Sequence, residues 1–387
     1  MICLKNNKPR FPLPLGPNSL PFFGCIFQML RNRPTHRWIR KVMDDMNTEI
    51  ACFRIFGVRV ISVTSPELAR EFFKKHDSIF SNRPVCMSAE LSSEGYLTTI
   101  LSPLGDQYKK MKRIIVSSVF SPAKHQWLHS KRTEEADHLV NYVYNQCKDD
   151  ASDLLDVLIR LKNNNGRPLL TTEEIRAQIT ELMFATVDNP SNAVEWALAE
   201  MLNQPEMLQK ATEEIDAVVG KDRLVQESDL ARLKYVKACA KEAFRLHPYA
   251  PFNVPHVSTL DTVVGGYFIP KGSHVILSRP GLGRNPRIWE DSLKFKPERH
   301  MNHMDDARID LNDPEFNMFS FSTGRRGCPG VLLGSTLTVM LLARLLQCFN
   351  WKIPSGLSQI DLAEGKDAGF LAKPLFAVAE PRFPQFN

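Results

Sequence analysis

The feature that most restricts what this chain can fold into is a glycine-rich loop that carries one cysteine and leads directly into an apolar helix. The loop reads Phe-Ser-Thr-Gly-Arg-Arg-Gly-Cys-Pro-Gly over residues 321–330, and the predicted helix covers 330–348. A lone cysteine is usually a small core residue. A sulfur beside a helix N-terminus, however, meets a dipole and backbone N–H groups that favour the thiolate. The position of Cys328 therefore predicts a thiolate ligand for a metal.

The other residues of this loop suit a large, flat cofactor. Gly324 and Gly330 allow the backbone to come close to such a group, and Phe321 can shield the sulfur from water. Arg326 offers a planar fork that matches a carboxylate. A haem-thiolate centre requires an ionised sulfur, a dry pocket and a cation for a propionate. The loop therefore predicts haem b with Cys328 as its axial ligand.

The same pattern, Phe-x-x-Gly-x-Arg-x-Cys-x-Gly, resembles the haem-loop signature of the cytochrome P450 monooxygenases at every position. Further upstream, Glu242 and Arg245 are three residues apart on a predicted helix at 229–246, and Arg299 follows in the run 297–300. An isolated pair of this kind is usually a solvated surface ion pair. The resemblance implies instead that Glu242, Arg245 and Arg299 form a structural cluster that holds the cysteine loop.

The longest helical signal covers residues 171–202 and contains Asp188, Asn189 and Pro190. Most family members have an acid followed by an alcohol here, and these side chains relay protons to dioxygen. The resemblance therefore assigns these three residues a catalytic role, with a water replacing the alcohol. Because proline lacks an N–H group, it frees the carbonyl four residues back and bends a helix. We expect a kinked, continuous helix; the alternative is a helix that ends at Asn189.

A narrower resemblance concerns residues 188–196, 252–257, 278–279 and 281–286. These runs are similar to the plant branch that N-hydroxylates an amino acid to an aldoxime, as in glucosinolate and cyanogenic-glucoside pathways. The resemblance implies that NADPH acts only through a separate reductase, and the chain has no Gly-x-Gly-x-x-Gly dinucleotide unit of its own. Candidate substrate contacts are the 83–103 loop, Phe184, Pro251, Phe252, Arg279 and the turn near Phe370.

Three further residues are assigned to the cofactor by the resemblance. His256 occupies a propionate-contacting position, although a capped loop histidine is an equal alternative. Tyr108 and Lys112 match the helix whose aromatic and basic side chains meet the propionates. The family normally has tryptophan at the first of these positions, but a tyrosine hydroxyl can still donate a hydrogen bond.

The chain departs from the family pattern in length. Asp188 follows Tyr108 by only 80 positions, far fewer than in family members, which indicates an internal deletion near 148–154. The deletion removes several central helices, including those that roof the substrate pocket. We therefore expect the apolar surface of residues 175–201 to be exposed, as a surface that favours association.

The location of the protein is a matter of expectation from the resemblance. It implies the cytoplasmic face of the endoplasmic reticulum with peripheral membrane contact. The proline-rich hinge begins almost at the N-terminus, so we expect no transmembrane anchor, and a soluble cytoplasmic protein is the alternative.

Two alternatives to the monooxygenase stay open at this point. Relatives that lack the helix alcohol can rearrange hydroperoxides without a reductase. The deletion also makes a non-catalytic remnant a serious candidate.

Composition adds few limits. The 387 residues are 43% hydrophobic and 24% charged, with a net charge of +6, which is typical of a globular protein. Charge is dispersed, which argues against a nucleic-acid partner, and eight scattered cysteines argue against a disulfide scaffold. We expect a mainly α protein with a minor β-sheet, a cytochrome P450 fold in one domain over 1–387. Its proline-rich lead-in is 1–30 and its haem-binding core is 297–347.

Overall fold

The computed structural model describes residues 11–135, 137, 161–162, 166–302, 309–366 and 369–383. These residues are mainly helical with small sheets, as predicted. The helices are α1 Ile26–Arg31, α2 Thr35–Asp45, α3 Pro66–Arg70, α4 Met87–Ser92, α5 Asp106–Ile114, α6 Pro122–Trp127, α7 Thr172–Thr186, α8 Asp188–Leu202, α9 Pro205–Val219, α10 Glu227–Leu230, α11 Lys234–Leu246, α12 Arg279–Gly283, α13 Glu298–Met301 and α14 Val331–Cys348. The strands are β1 Ile50–Ile55, β2 Val58–Val63, β3 His256–Val257, β4 Thr262–Val264, β5 Tyr267–Ile269, β6 His274–Leu277, β7 Phe349–Lys352 and β8 Val378–Pro381.

The chain divides into two compact units. Unit 1 comprises Met1–Met87, Pro251–Glu290 and Asp313–Gly327, and unit 2 comprises Ser88–Ala250, Asp291–Asn312 and Cys328–Asn387. The single domain over 1–387 stays a prediction, and the predicted deletion near 148–154 lies outside the described residues. The lead-in has no helix over residues 11–25, and α1 begins at Ile26, inside the predicted 1–30 segment.

Unit 1 is built on a four-stranded sheet with the strand order β1-β2-β6-β3. β1 and β2 form an antiparallel hairpin of alternating, β-branched residues, and it turns at Phe56-Gly57. Because side chains alternate across a strand, Ile61 packs on one face with the core that contains Phe72, while Phe53 packs on the other with Trp38. The sheet is therefore covered on both faces.

A short helical segment of unit 1 leads towards the site. Ser65 caps α3 by accepting a hydrogen bond from the Leu68 N–H at 3.4 Å, and α3 continues into a π-helical turn, Glu71–Lys75. Phe72 and Phe73 of this turn are buried in the unit 1 core. The chain just beyond it, around Asp77, is thereby held in place.

Unit 2 is helical, with α8 at its centre. α8 packs against α9, α11 and α14, and its side chains from Ala193 to Leu202 are buried except Glu195. Within the described part of the chain, one helix, α14, is long and apolar enough to cross a membrane, but 61% of it is buried inside the structure. A core helix of this kind satisfies the same criterion. The predicted helix over 229–246 forms as two helices, α10 and α11, because residues 231–233 interrupt it.

The predicted kinked helix over 171–202 is confirmed. It begins with a capping box in which the Glu174 N–H donates to Thr171 Oγ1 at 3.2 Å and the Thr171 N–H donates to Glu174 Oε2 at 3.0 Å. A single residue, Val187, separates α7 from α8. Its N–H still donates to the Met183 carbonyl, and its carbonyl accepts from the Ser191 N–H. Helical bonds therefore continue on both sides of the bend.

Candidate haem-thiolate site

The first part of the glycine-rich loop, residues 321–327, belongs to unit 1 and is shaped by Asp77. The backbone N–H of Arg325 donates to Asp77 Oδ1 at 2.9 Å, and Gly324 has φ +65°. A Cβ at Gly324 would lie 2.3 Å from Asp77 Oδ1, so only glycine fits. Phe321 is half-buried in the same unit. Asp77 belongs to no motif, and nothing in the sequence singled it out.

Unit 1 contains His256 and Arg326, two of the residues that the sequence assigned to the cofactor. The His256 ring is buried, and its Nδ1 donates to the Phe80 carbonyl at 2.6 Å. Among the residues that the structure describes, its Nε2 has no hydrogen-bond partner. Burial, together with the charge of Arg83, lowers the pKa of His256 to about 3, and Arg326 acts in the same direction. The structure thus places an unsatisfied nitrogen near two guanidinium groups.

Both arginines are buried and held by backbone carbonyls. Arg326 Nε donates to the Ser81 carbonyl at 2.7 Å, and Arg83 donates from NH1 to the carbonyls of Val254 and Pro255 at 2.9 and 3.0 Å. A buried, fixed guanidinium is suited to bind a carboxylate. Arg83 was expected only as part of a substrate loop, and its place beside His256 is a finding of the structure.

The thiol of Cys328 is exposed at the start of α14 in unit 2 and is not packed into a core. Gly330 is the N-cap residue of this helix, and a Cβ there would lie 3.5 Å from the Phe120 ring and 3.9 Å from Cys328 Sγ. An exposed cysteine beside a helix N-terminus is suited to bind a metal as a thiolate. The geometry that the sequence predicted for Cys328 is present.

An apolar cavity of about 100 Å³ lies next to this loop, also within unit 2. Its walls include Pro329 and Leu332 from the start of α14 and Leu182 and Thr186 from the end of α7. The residue that follows Cys328 therefore borders the same cavity as the last turn before the bend.

The predicted cluster around Glu242 forms inside unit 2. Arg245 donates to both Glu242 oxygens at 2.7 and 2.8 Å, and Arg299 Nε donates to Oε1 at 3.0 Å. Arg245 also donates to the carbonyls of Ser292 and Lys294, which precede α13. Such contacts fix the segment that leads into the Arg299 run.

A fourth member of this cluster was missed by the sequence. His300 Nε2 donates to Glu242 Oε2 at 2.8 Å. Burial alone would raise the pKa of Glu242, but hydrogen bonds from Arg245 and His300, together with their charges, lower it to about 2. The pKa of His300 is lowered by its own burial, and the hydrogen bond to Glu242 opposes this shift. Its place directly after Arg299 was the only available signal.

Tyr108 and Lys112 lie together on α5 in unit 2. Tyr108 is buried, and the Lys112 ammonium is 5.9 Å from the centre of its ring. This distance allows a cation–π contact. The tyrosine thus has a basic neighbour one turn away on the same helix.

At the bend, Asp188 is the first residue of α8 and is half-buried, as is Asn189, while Pro190 is buried. Asn189 Nδ2 donates to the Ala185 carbonyl at 3.3 Å. The asparagine therefore bonds back across the bend, where the family has an alcohol.

The expectation of an exposed apolar surface on 175–201 is confirmed only near the bend. Ile175, Ile179 and Leu182 of α7 pack in a core cluster, and most of α8 is buried. Met183, Phe184 and Val187 are 62%, 68% and 57% exposed. Val194 and Trp196 are buried because α8 packs on α11 and α14. The exposed side chains lie at the bend.

A loop from the predicted substrate region is tied to α7. The backbone N–H groups of Thr99 and Ile100 donate to the two oxygens of Glu181 at 2.9 and 2.7 Å, and Thr99 Oγ1 donates to Gln178. Burial raises the pKa of Glu181, and the hydrogen bonds oppose this shift. Phe370, in the C-terminal turn of unit 2, is 37% exposed.

The chemical types of these residues fit a haem. Within unit 1, Arg83 and Arg326 are buried guanidinium groups of the kind that binds a carboxylate. Within unit 2, considered by itself, Cys328 is an exposed cysteine of the kind that binds iron. This donor set matches a haem-thiolate centre.

Comparison with known proteins agrees with this chemistry. The cytochrome P450 family model matches residues 14–152 and 144–378. The chain is 44% identical to a tryptophan N-monooxygenase of Prunus mume over 490 aligned positions, covering 98% of this chain and 92% of the relative. It is 46% identical to valine N-monooxygenase 1 of Manihot esculenta over 485 positions, covering 98% and 89%.

Both alignments are longer than the chain itself, so each relative has a long stretch without a counterpart here. A zebrafish cytochrome P450 structure with abiraterone has a TM-score of 0.74 at 20% identity, covering 91% of this chain and 100% of that chain. The family match over most of the length, the two relatives and the shared fold show that this chain belongs to the cytochrome P450 family.

Proposed function

We propose that this chain is a haem-thiolate monooxygenase that N-hydroxylates an amino acid to an aldoxime. The observation that carries the proposal is the exposed Cys328 thiol at the start of α14. The names of its relatives, which act on tryptophan and valine, support the substrate class. They favour this function over a hydroperoxide isomerase or a non-catalytic remnant.

The proposed reaction is balanced by two hydroxylations. In the first, the amino acid, dioxygen, NADPH and a proton give the N-hydroxy amino acid, water and NADP⁺. The second uses another dioxygen, NADPH and proton to give the N,N-dihydroxy amino acid, a second water and a second NADP⁺. Loss of water and carbon dioxide then gives the aldoxime.

The haem, when bound, supplies the dioxygen chemistry. The chain's own part begins with Cys328, which would hold the iron as a thiolate. Arg326 and Arg83 would hold carboxylates of the cofactor, and His256 would lie beside them. Because His256 Nδ1 donates to the Phe80 carbonyl, Nε2 is the ring nitrogen left to meet a ligand. Phe321, Gly324 and Gly330 complete the loop, and Tyr108 and Lys112 supply a further hydrogen bond and charge.

Asp188, Asn189 and Pro190 form the proton-delivery element in this proposal. The carboxyl group of Asp188 passes protons towards the oxygen that is reduced. The missing N–H of Pro190 leaves the Thr186 carbonyl available to hold a water. Glu242, Arg245 and Arg299 hold the cysteine loop in position and take no part in the chemistry.

We also propose that electrons come from NADPH through a separate cytochrome P450 reductase and that the protein contacts the cytoplasmic face of the endoplasmic reticulum. An exposed aromatic group in unit 1 supports membrane contact. Phe22 is 87% exposed, and the Phe23 ring lies 5.4 and 6.2 Å from those of Phe27 and Phe56. Aromatic side chains of this kind favour the membrane interface.

Vesicle flotation tests the membrane contact. Phe22→Asp should reduce flotation with phosphatidylcholine vesicles, whereas Leu293→Asp, at an exposed position of unit 2, should not. Equal flotation of both variants with the unaltered chain would contradict a contact through Phe22.

Turnover tests the function. The haem-loaded chain, a plant P450 reductase and NADPH are incubated with L-tryptophan, L-valine and other amino acids, and oximes are measured by mass spectrometry. Reductase-dependent oxime is expected from at least one amino acid. A chain that converts a fatty-acid hydroperoxide without reductase, and no amino acid, would refute the proposal.

A further inference from the structure

A tyrosine contacts the carboxylate at the bend. The Tyr249 hydroxyl donates to Asp188 Oδ2 at 3.1 Å. Tyr249 lies three residues beyond the end of α11, and both side chains are half-buried in unit 2. No other residue within the described ranges forms a hydrogen bond to the Asp188 carboxylate, so Oδ1 is left available.

The ring of Tyr249 is held from several sides. The ring packs edge-on against Phe370, with ring centres 5.2 Å apart and an interplanar angle of 87°. The backbone carbonyl of Tyr249 accepts a hydrogen bond from the Gly369 N–H at 3.0 Å. A Cβ at Gly369 would lie 2.1 Å from the Pro248 carbonyl oxygen, so these segments are in close contact. Trp196 donates from Nε1 to the Gly369 carbonyl at 2.7 Å. The hydroxyl therefore reaches Asp188 from a fixed position.

Asp188 lies on the open side of the bend. Phe184, four residues earlier, shares its helix face, and this phenylalanine is 68% exposed. Helical hydrogen bonding continues through Val187, so the face is maintained. A carboxylate beside exposed apolar side chains is where a substrate-side proton donor is needed.

The hydroxyl of Tyr249 is a donor that keeps its own proton. Burial raises the pKa of Tyr249, and the hydrogen bond to Asp188 and the charge of that carboxylate raise it further. The tyrosine therefore stays protonated at neutral pH. It orients the carboxylate without being a source of protons.

We propose that Tyr249 is a positioning residue that holds Asp188 Oδ2, so that Oδ1 faces the reacting oxygen and delivers protons to it. This inference rests on the proposed function. Without Tyr249 the carboxylate rotates, protons arrive at the wrong time, and reduced dioxygen escapes as hydrogen peroxide instead of hydroxylating the amine.

The test compares Tyr249→Phe with Tyr235→Phe in the haem-loaded full chain. Tyr235 provides a matched control because its hydroxyl donates to another carboxylate of unit 2, Glu298, at 3.2 Å. In Tyr249→Phe, the fraction of NADPH electrons recovered as hydrogen peroxide should rise about three- to tenfold, the effect of losing one hydrogen bond. Haem content should be unchanged, and so should the spectral binding of L-tryptophan and L-valine. Tyr235→Phe should leave the peroxide fraction unchanged.

A second readout is independent of turnover. With ¹³Cζ-labelled tyrosine, the Tyr249 signal is the one missing from Tyr249→Phe, and it should shift in Asp188→Asn. The inference would be overturned if the Tyr249 signal did not shift in Asp188→Asn, or if the peroxide fraction were unchanged in Tyr249→Phe. If the unaltered chain makes no oxime while the peroxide fraction still responds to Tyr249→Phe, the proposed function fails and this inference survives. If the chain consumes no NADPH, the shift of the Tyr249 NMR signal in Asp188→Asn alone decides whether the inference stands.

Discussion

His300 Nε2 donates to Glu242 Oε2 across 2.8 Å, and both side chains are buried. Glu242 therefore accepts hydrogen bonds from three side chains, because Arg245 and Arg299 also donate to it. It accepts a further hydrogen bond from the backbone N–H of Lys296. Burying ions is costly unless they are fully paired. The cluster meets this requirement, so it tolerates little change.

Glu242→Gln should lower the free energy of unfolding by about 3–5 kcal/mol, because Arg245 would remain buried without its charge partner. Urea unfolding measures this loss, and the ratio of haem absorbance to protein should fall as well. Glu94→Gln is the matched control, since Glu94 forms an exposed pair with Arg176 and such pairs contribute little. Equal stability of the two variants would contradict a structural role for Glu242.

The Glu242 cluster should also make stability depend on acid pH. The pKa of this carboxyl is about 2 in the folded chain against an ordinary 4.5. The unfolded chain therefore binds the proton first as the pH falls. The stability from ionised Glu242 is complete above about pH 4.5 and is lost as the pH falls towards about 2. The difference in urea midpoint between the unaltered chain and Glu242→Gln should shrink over this window, and a constant difference would be inconsistent with the low pKa.

Gly324→Ala should destabilise the cysteine loop more than Gly266→Ala. Both glycines have positive φ, +65° and +77°, but a Cβ at Gly266 meets nothing within 4 Å. The control should lose about 1–2 kcal/mol from backbone strain alone. At Gly324 the clash with Asp77 should cost about 1–3 kcal/mol more, with reduced haem content. Urea unfolding separates the two, and similar losses would mean that the Asp77 contact is unimportant.

Glu181→Ala should release the loop that contains Thr99 and Ile100. Both backbone N–H groups donate to this carboxylate, and their amide exchange should accelerate about tenfold or more when it is removed. Glu94→Ala removes a nearby carboxylate whose partner is the Arg176 side chain. Hydrogen exchange with mass spectrometry measures the amide exchange rates of residues 99–100 in both variants. Unchanged exchange at 99–100 in Glu181→Ala would show that other contacts hold the loop.

Cys328→Ser should abolish the long-wavelength Soret band of the reduced, CO-bound protein, because that band requires a thiolate opposite CO. Cys86→Ser changes another exposed cysteine and should retain it. The reduced CO-difference spectrum makes this comparison. Survival of the band in Cys328→Ser would exclude Cys328 as the iron ligand.

The elements that the sequence predicted well are those determined by neighbouring residues. The helix over 171–202 and the apolar α14 both depend on local periodicity and on start and stop signals. The bend near Pro190 was predicted for the same reason, since a proline removes one donor within its own helix. The split between α10 and α11 was missed because the apolar pattern continues through residues 231–233.

The sequence by itself determined the ligand type and the ion pair: one cysteine in a glycine-rich loop, and Glu242 one helical turn from Arg245. Only the tertiary structure decided which residues far apart in the sequence contact one another at the site. Asp188 and Tyr249 are 61 positions apart, and Arg326 and Ser81 are 245 apart. Local propensities act over a few residues, whereas contacts of this length depend on how buried surfaces pack, which determines the partners of Cys328's loop and of the Asp188 carboxylate.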